Sequence, residues 1–215
     1  DQTLAEWQAE LSKAVDLAID HISLYQLTIE TGTAFGDRYA TGKLRGLPED
    51  DLAADMYQVT QEICENAGLI GYEVSNYAKT GSESRHNLVY WSYGDYVGIG
   101  PGAHGRLTLN GEKLSTESWR NPGKWLTSVE AGNGESAREI ISRPEQADEM
   151  LLMGLRLEQG IDPARFESLS GRKLNSKTLS HLIDIGMIHS NSDRIRVTNQ
   201  GRMVLNMIIK ELLSG

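Results

Sequence analysis

Cysteine is almost absent from this sequence of 215 residues, which contains Cys64 alone. A disulfide within the chain needs two cysteines, and zinc or iron–sulfur sites built from several thiolates need more, so all of these are excluded for this chain. No apolar run approaches the roughly 18 residues of a transmembrane helix, and no signal peptide is recognisable. Disulfide-free chains are typical of reducing compartments, so we expect a cytoplasmic protein.

Basic residues are also fewer than acidic ones. The chain has 21 Lys and Arg against 30 Asp and Glu, a net charge of −9. Residues 1–142 carry a net charge of −10 and residues 143–215 a net charge of +1. Neither part offers the basic surface on which phosphate binding depends, so we expect no nucleic-acid partner.

The first 78 residues alternate between helix and strand signals. A capping box of Thr3 and Glu6 begins an apolar helical repeat that continues to residue 19. Residues 21–30 are apolar on both phases, as in a strand covered on two faces. Acidic residues at 49–51 begin a second helix that ends at residue 68, and residues 71–78 alternate as a second strand. This order predicts an α/β protein with a parallel sheet.

The end of the first predicted strand is a candidate ligand-binding edge, because α/β barrels present functional side chains there. Tyr25, Gln26 and Glu30 lie on or at the end of this strand, and a loop rich in glycine follows at 31–48. Tyr25 and Gln26 point to opposite faces, so at most one of them faces a central cavity. Glu30 could instead pair with a basic group, and the loop is either a ligand contact or a plain connection.

The C-terminal part has a different order. Asn110-Gly111 predicts a type I′ hairpin turn, and residues 121–132 predict a short helix. The polar segment before Ser142 predicts a domain boundary, which divides the chain into residues 1–139 and 140–215. Ser142, Pro144 and Glu145 form a capping signature that begins a helix. A short helix after Asp162, a helix over 175–186, a small hairpin and a last helix over 199–213 follow, so the order is winged-helix-like. A winged-helix DNA-binding protein is the least favoured of the candidate functions, because its recognition helix, residues 176–185, would carry little positive charge.

Residues 85–106 have no helical period, so no helix is expected there. They form the densest group of chemically distinctive side chains, with two of the five histidines, four aromatic residues and five glycines. Glycines such as Gly100 and Gly102 let the backbone approach a ligand closely, because they lack a Cβ. Pro101 interrupts the pattern and no helix signal follows, so this is not a dinucleotide-binding fingerprint. The alternative to a ligand site is a tight buried corner.

His86 is the first candidate for binding a metal or haem iron, since a neutral imidazole nitrogen can ligate either. Arg85 beside it supplies a planar cation for a carboxylate, Asn87 an amide donor and acceptor, and Tyr90 a flat surface for a conjugated ring. The set suits a large aromatic ligand with acidic side groups. His86 could equally bond a backbone carbonyl, and His104 is the second candidate.

At these residues the chain resembles the C-terminal part of the HemW-type radical-SAM haem chaperones, a family similar to oxygen-independent coproporphyrinogen III oxidase. His86, Asn87 and Tyr90 match the His-Asn-x-x-Tyr signature of its haem-binding branch. The other matching segments are SLYQLTIETGT, LPEDDLAADMY, YEVSNYAKTGSESRHNLVYW and YVGIGPGAHGR. The family's Cys-x-x-x-Cys-x-x-Cys loop is missing from this sequence. We therefore expect the chain to be part of a longer gene product.

The resemblance implies the second half of a radical-SAM partial (β/α) barrel followed by a small winged-helix-like α+β accessory domain. It implies haem, a [4Fe-4S] cluster and S-adenosylmethionine in full-length members, with haem delivered to acceptor proteins and any peripheral membrane association made through a partner. It places haem binding at Arg85, His86, Asn87 and Tyr90, with His86 as the candidate iron ligand. The alternative function is a coproporphyrinogen III oxidase of porphyrin biosynthesis. Without the cluster-binding cysteines, we expect this chain to be inactive as an enzyme by itself.

Overall fold

The computed structural model describes residues 2–27, 29 and 31–214. The chain divides into two compact units, residues 1–84 and residues 85–215. The first unit contains three helices and three short strands in its described residues: α1 (Leu4–Leu17), β1 (His21–Ser23), α2 (Ala34–Ala40), α3 (Asp50–Asn66), β2 (Ile70–Glu73) and β3 (Asn76–Ala78). No described helix in either unit is long and apolar enough to cross a membrane.

Local capping signals place the helices of the first unit. The capping box predicted at Thr3 and Glu6 begins α1, with both of its reciprocal hydrogen bonds formed. The helix predicted after the acidic residues 49–51 is α3, and Gly68 follows it with a φ of 76°. α1 packs against α3, and α3 packs against β2. Leu11, Cys64 and Tyr77 are completely or almost completely buried in this unit. The indole of Trp7 donates a hydrogen bond of 2.9 Å to Thr60.

The prediction of a parallel sheet in this unit is wrong. The strand order is β1-β3-β2, and both neighbours of β3 run antiparallel to it. Residues 71–78 are two strands joined by a turn, where the buried carboxylate of Glu73 accepts hydrogen bonds from the Ser75 amide (2.9 Å) and the Asn76 side chain (2.7 Å). This local turn reverses the chain between β2 and β3, so β3 pairs with β1 in the antiparallel direction.

Two further expectations for the first unit need correction. Among the described residues of the strand predicted over 21–30, only 21–23 form a strand, because antiparallel pairing with the three-residue strand β3 ends at Ser23. The segment 31–48, expected to be a loop, contains the seven-residue helix α2, whose N-cap Thr33 accepts a hydrogen bond of 3.0 Å from the Gly36 amide.

The second unit combines an antiparallel sheet with a helical bundle and a small hairpin. Its elements are α4 (Arg85–Trp91), β4 (His104–Leu109), β5 (Glu112–Ser118), α5 (Pro122–Glu130), β6 (Glu135–Ile140), α6 (Arg143–Gly154), α7 (Pro163–Ser170), α8 (Ser176–Asp184), β7 (Ile188–Ser190), β8 (Ile195–Val197), α9 (Asn199–Arg202) and α10 (Leu205–Leu213). The predicted Asn110-Gly111 turn is confirmed, with φ values of 53° and 84°. The predicted order of helix, helix, hairpin and helix is also present.

Three elements of this unit differ from the sequence-based expectation. Residues 85–91 form a helix in a region where no helix was expected, and the last helix, expected over 199–213, is divided between α9 and α10 at Val204. The polar segment before residue 140 contains β6, which pairs with β5 along its length. Its polar side chains are consistent with a strand at the sheet edge. The division at 139/140 stays a prediction, and the Ile141 amide continues the pairing with a 2.9 Å bond to the Lys113 carbonyl.

Candidate functional site

The helix α4 presents the candidate haem motif. His86 and Tyr90 lie one turn apart on the same face, and their ring centroids are 5.5 Å apart in an edge-on contact. Tyr90 also contacts the rings of Trp91 (4.8 Å) and Tyr96 (6.1 Å). The short helix therefore displays an imidazole at the edge of an aromatic cluster.

Exposure differs along this motif. Arg85 and His86 are exposed, whereas Asn87 and Tyr90 are half-buried. The exposed imidazole of His86 and guanidinium of Arg85 are accessible to a ligand. The half-buried ring of Tyr90 contributes apolar surface beside them. One short helix thus carries the signature residues His86, Asn87 and Tyr90 together with the neighbouring Arg85, and the first two residues of this helix are exposed.

The turn after α4 is tightly built. The amides of Tyr93 and Gly94 donate hydrogen bonds to the carbonyls of Tyr90 (2.9 Å) and Val89 (2.8 Å), which are the two bonds of a Schellman motif. Tyr93 lies at the left-handed position of this motif with a φ of 56°. Its side chain is buried, and the Lys113 ammonium lies 4.7 Å from its ring centroid.

An ion pair between Glu149 and Arg106 adjoins the Tyr93 side chain. Arg106 donates from Nε (3.0 Å) and Nη2 (2.7 Å) to the carboxylate, and the Tyr93 hydroxyl donates to it at 2.7 Å. Burial alone would raise the pKa of Glu149, but these hydrogen bonds outweigh burial and hold it below its ordinary value. Burial, followed by the hydrogen bond to Glu149, raises the pKa of Tyr93. The phenol therefore remains a donor to an ionised carboxylate at neutral pH.

Acid is expected to destabilise the second unit through Glu149. Because the folded-state pKa lies below the ordinary 4.5, ionisation of Glu149 contributes stability that is fully present above about pH 4.5 and is lost as pH falls through the folded-state pKa. In Glu149→Gln we expect about 1–2 kcal/mol less stability at pH 7, with a shallower loss between pH 5 and pH 3. Urea unfolding at several pH values measures both. A variant with the same pH slope as the unsubstituted chain would contradict this.

Two of the glycines in residues 98–105, Gly98 and Gly105, lie where backbone and side-chain atoms of their own unit approach closely. A Cβ on Gly98 would lie 2.5 Å from the carbonyl oxygen of His104, and one on Gly105 would lie 2.6 Å from the Thr116 hydroxyl. Gly100 and Gly102 have φ values of 109° and 70°. Loop and strand backbones thus cross closely here, as in the tight corner that was the alternative to a ligand contact.

His104, the second candidate ligand, lies at the start of β4 opposite Glu117. Its Nε2 is 3.9 Å from a Glu117 carboxylate oxygen, and 53% of its side chain is exposed. The structure therefore gives His104 an acidic neighbour rather than an aromatic one, which distinguishes it from His86.

The remaining predicted cavity residues belong to the first unit. Tyr25 is 76% exposed and Gln26 is exposed, with its amide 3.5 Å from the Ala53 carbonyl. Both follow β1, and Glu30 lies outside the described residues. A cavity shared by these residues with Gly100, Gly102 or His104 stays a prediction.

The described part of the chain holds no cluster of three or more His, Cys, Asp or Glu side chains able to bind a metal. Cys64 is fully buried, and burial raises the pKa of its thiol to about 11, so it is a poor thiolate ligand. Two open grooves of about 400 and 520 Å³ adjoin α10, and no predicted site residue lines either.

Comparisons with known proteins converge on one family. The HemN C-terminal domain family matches residues 141–204. The chain is 33% identical over 217 residues to the haem chaperone HemW of Bacillus subtilis, covering 99% of this chain and 56% of that protein. The predicted resemblance to the HemW-type family is confirmed. The HemW of Escherichia coli is also 33% identical, over 100% of this chain and 55% of its own length.

Two further relatives define the extent of this match to the HemW-type family. The mitochondrial radical S-adenosyl methionine domain-containing protein 1 of Bos taurus is 34% identical, over 99% of this chain and 50% of its own length. The solved radical-SAM coproporphyrinogen III oxidase HemN of Escherichia coli superposes with a TM-score of 0.71 at 16% identity, covering 98% of this chain and 52% of that one. The α/β fold expected from the resemblance is therefore confirmed. The chain spans about half the length of the curated relatives it matches.

Sequence reasoning missed the residues that contact the turn after α4. Besides Glu149, Arg165 of α7 donates to the carbonyls of Ser92 (2.8 Å) and Tyr93 (3.0 Å). These contacts join residues more than 50 positions apart in the chain, and no local motif of a single sequence marks them.

Proposed function

We propose that this chain carries the haem-binding segment of a HemW-type haem chaperone. The observation that carries the proposal is the match to named haem chaperones at 33% identity over 99% or more of the chain. The exposed His86 on α4, beside Arg85, agrees with it. Haem trafficking or insertion is thus the function that the molecule supports best.

The residues of α4 fit such a ligand chemically. The accessible imidazole of His86 can supply an axial nitrogen to iron, and Arg85 can pair with a propionate. Tyr90, packed among Trp91 and Tyr96, can cover part of the macrocycle. Haem, when bound, supplies an iron that accepts the axial ligand, and Asn87 is the neighbouring polar group able to orient it.

Other cofactors and partners extend this proposal. S-adenosylmethionine and a [4Fe-4S] cluster belong to the proposed complete protein. The cluster needs several thiolates and this chain has Cys64 alone, so the proposal places the cluster's set of ligands outside this chain. The acceptors are haem-binding proteins. The proposed location is the cytoplasm, although the bovine relative is named as mitochondrial.

A second candidate is the oxygen-independent coproporphyrinogen III oxidase reaction, which is favoured by the superposition on HemN. This function would require a site for a metal-free tetrapyrrole with several carboxylates. The lower identity of 16% to HemN, against 33% to HemW, favours the chaperone.

Titration of the chain with hemin and with coproporphyrin III separates these functions. The chaperone predicts a saturable Soret shift with hemin at a stoichiometry of one, and weaker binding of the metal-free porphyrin, which lacks an iron to ligate. Equal affinity for both porphyrins would favour the oxidase. Absence of saturable hemin binding would overturn the haem proposal for this chain.

A further inference from the structure

Tyr93 occupies a backbone conformation that usually belongs to glycine. Its φ of 56° lies in the left-handed region, at the position of a Schellman motif where glycine avoids the clash of a Cβ. Strain of this kind persists where the surrounding structure holds it. The strain therefore directs attention to the contacts that a tyrosine makes here and a glycine could not.

The contacts of Tyr93 show what holds it. Its hydroxyl donates to Glu149 of α6 at 2.7 Å, and its carbonyl accepts from Arg165 of α7 at 3.0 Å. Its ring packs beneath the ammonium of Lys113, 4.7 Å from the ring centroid. Side chain and backbone of one residue are thus fixed from three separate elements of the second unit.

The residues next to Tyr93 are held by the same region. Arg165 also donates to the Ser92 carbonyl at 2.8 Å, and the guanidinium of Arg156, just after α6, lies 4.7 Å from the ring centroid of Trp91. The C-terminal end of α4 is therefore fixed by charged groups on α6, on α7 and just after α6. Its first turn, which contains His86, is exposed.

We propose that Tyr93, anchored by Glu149 and Arg165, is the positioning residue of the candidate haem motif. A helix of seven residues is about 10 Å long, so fixing its C-terminal end sets the direction of its whole exposed face. That face carries His86 and, one turn later, Tyr90. The inference rests on the proposed haem function for its ligand, while the fixing of α4 is a property of the chain itself.

The competing explanation is an ordinary helix cap. If Tyr93 only ended the helix, Tyr93→Gly would do so at least as well, because glycine adopts the left-handed conformation without strain. If Tyr93 anchors the helix, Tyr93→Gly loses the hydroxyl and the ring, and Tyr93→Phe loses the hydroxyl alone. The two variants therefore separate the explanations.

Amide hydrogen exchange in the absence of haem tests the anchor directly. The reporters are the amides of Tyr93 and Gly94, which donate the Schellman hydrogen bonds. We expect about tenfold faster exchange in both variants, since loss of one hydrogen bond to a charged group costs that order in a local opening equilibrium. The control is Leu182→Ala, a change in the buried side of α8 that lowers global stability away from α4. In this control variant, the amides of Tyr93 and Gly94 should exchange as fast as they do in the unsubstituted chain.

Hemin titration of the same four proteins tests the positioning role. We expect about tenfold weaker binding and an altered Soret band in Tyr93→Phe and Tyr93→Gly, with Leu182→Ala unchanged. Unchanged exchange in both variants, or Tyr93→Gly behaving as the unsubstituted chain, would overturn the anchor. Faster exchange with unchanged hemin affinity and spectrum would overturn the positioning role. If the unsubstituted chain binds no hemin, the proposed function fails, and exchange alone decides whether Tyr93 fixes α4.

Discussion

Replacement of His86 by alanine is expected to remove the hemin Soret shift of this chain and to weaken hemin binding by more than about tenfold, because changes even to groups behind a metal ligand cost 10- to 100-fold. The imidazole is exposed at the first turn of α4, so it can reach a ligand without rearrangement of the core. Absorption spectroscopy during hemin titration measures both the band and the affinity.

His104→Ala is the matched control for this experiment. His104 is also exposed and belongs to the same unit, but its neighbour is the carboxylate of Glu117 at 3.9 Å. We expect it to bind hemin as the unsubstituted chain does. A normal spectrum in His86→Ala together with a lost band in His104→Ala would move the iron ligand to β4, and normal spectra in both would remove both histidines from the site.

The parts of the fold that could be predicted are those with local causes. Thr3 and Ser142 each form a capping box with a glutamate three residues later, and the turn at Asn110 needs left-handed backbone. Such signals lie within a few residues of the element that they begin or end. The sequence therefore places α1, α6 and the β4–β5 hairpin correctly.

Strand direction and short helices depend on contacts that are distant in sequence. The pairing of β1 with β3 joins residues more than 50 positions apart, and its direction is set by the turn at Glu73 and Ser75. The helix α4 has fewer than two full turns, too few for its apolar period to be recognisable, and tertiary contacts stabilise helices of this length. The predictions of a parallel sheet and of no helix at residues 85–91 were wrong for these reasons.

The candidate site divides in the same way. The identities of His86, Asn87 and Tyr90 are visible in the sequence as one motif, because they match the His-Asn-x-x-Tyr signature of the family that the chain resembles. Their support is not visible, because Glu149 lies 56 positions from Tyr93. A single sequence can therefore indicate candidate ligand-binding side chains, but the distant groups that contact their surroundings emerge only from the fold.

Gly98→Ala is expected to destabilise the second unit by about 3 kcal/mol, the upper range for inserting a methyl group where the surroundings cannot yield. The added Cβ would lie 2.5 Å from the carbonyl oxygen of His104 and 2.6 Å from its carbonyl carbon. Both are backbone atoms of the first residue of β4, which pairs with β5, so relief requires movement of a paired strand. Urea unfolding followed by circular dichroism measures the loss.

Gly100→Ala separates this crowding from the effect of backbone conformation. Gly100 has a φ of 109°, and a Cβ there would meet no atom within 4 Å, so only conformational strain of about 1–2 kcal/mol is expected. If the glycines of this loop serve the packing of β4 and β5, Gly98→Ala must be the more destabilised of the two. If they instead admit a porphyrin, Gly100→Ala would weaken hemin binding while Gly98→Ala retained its stability. That second pattern would restore the ligand-contact interpretation of the loop.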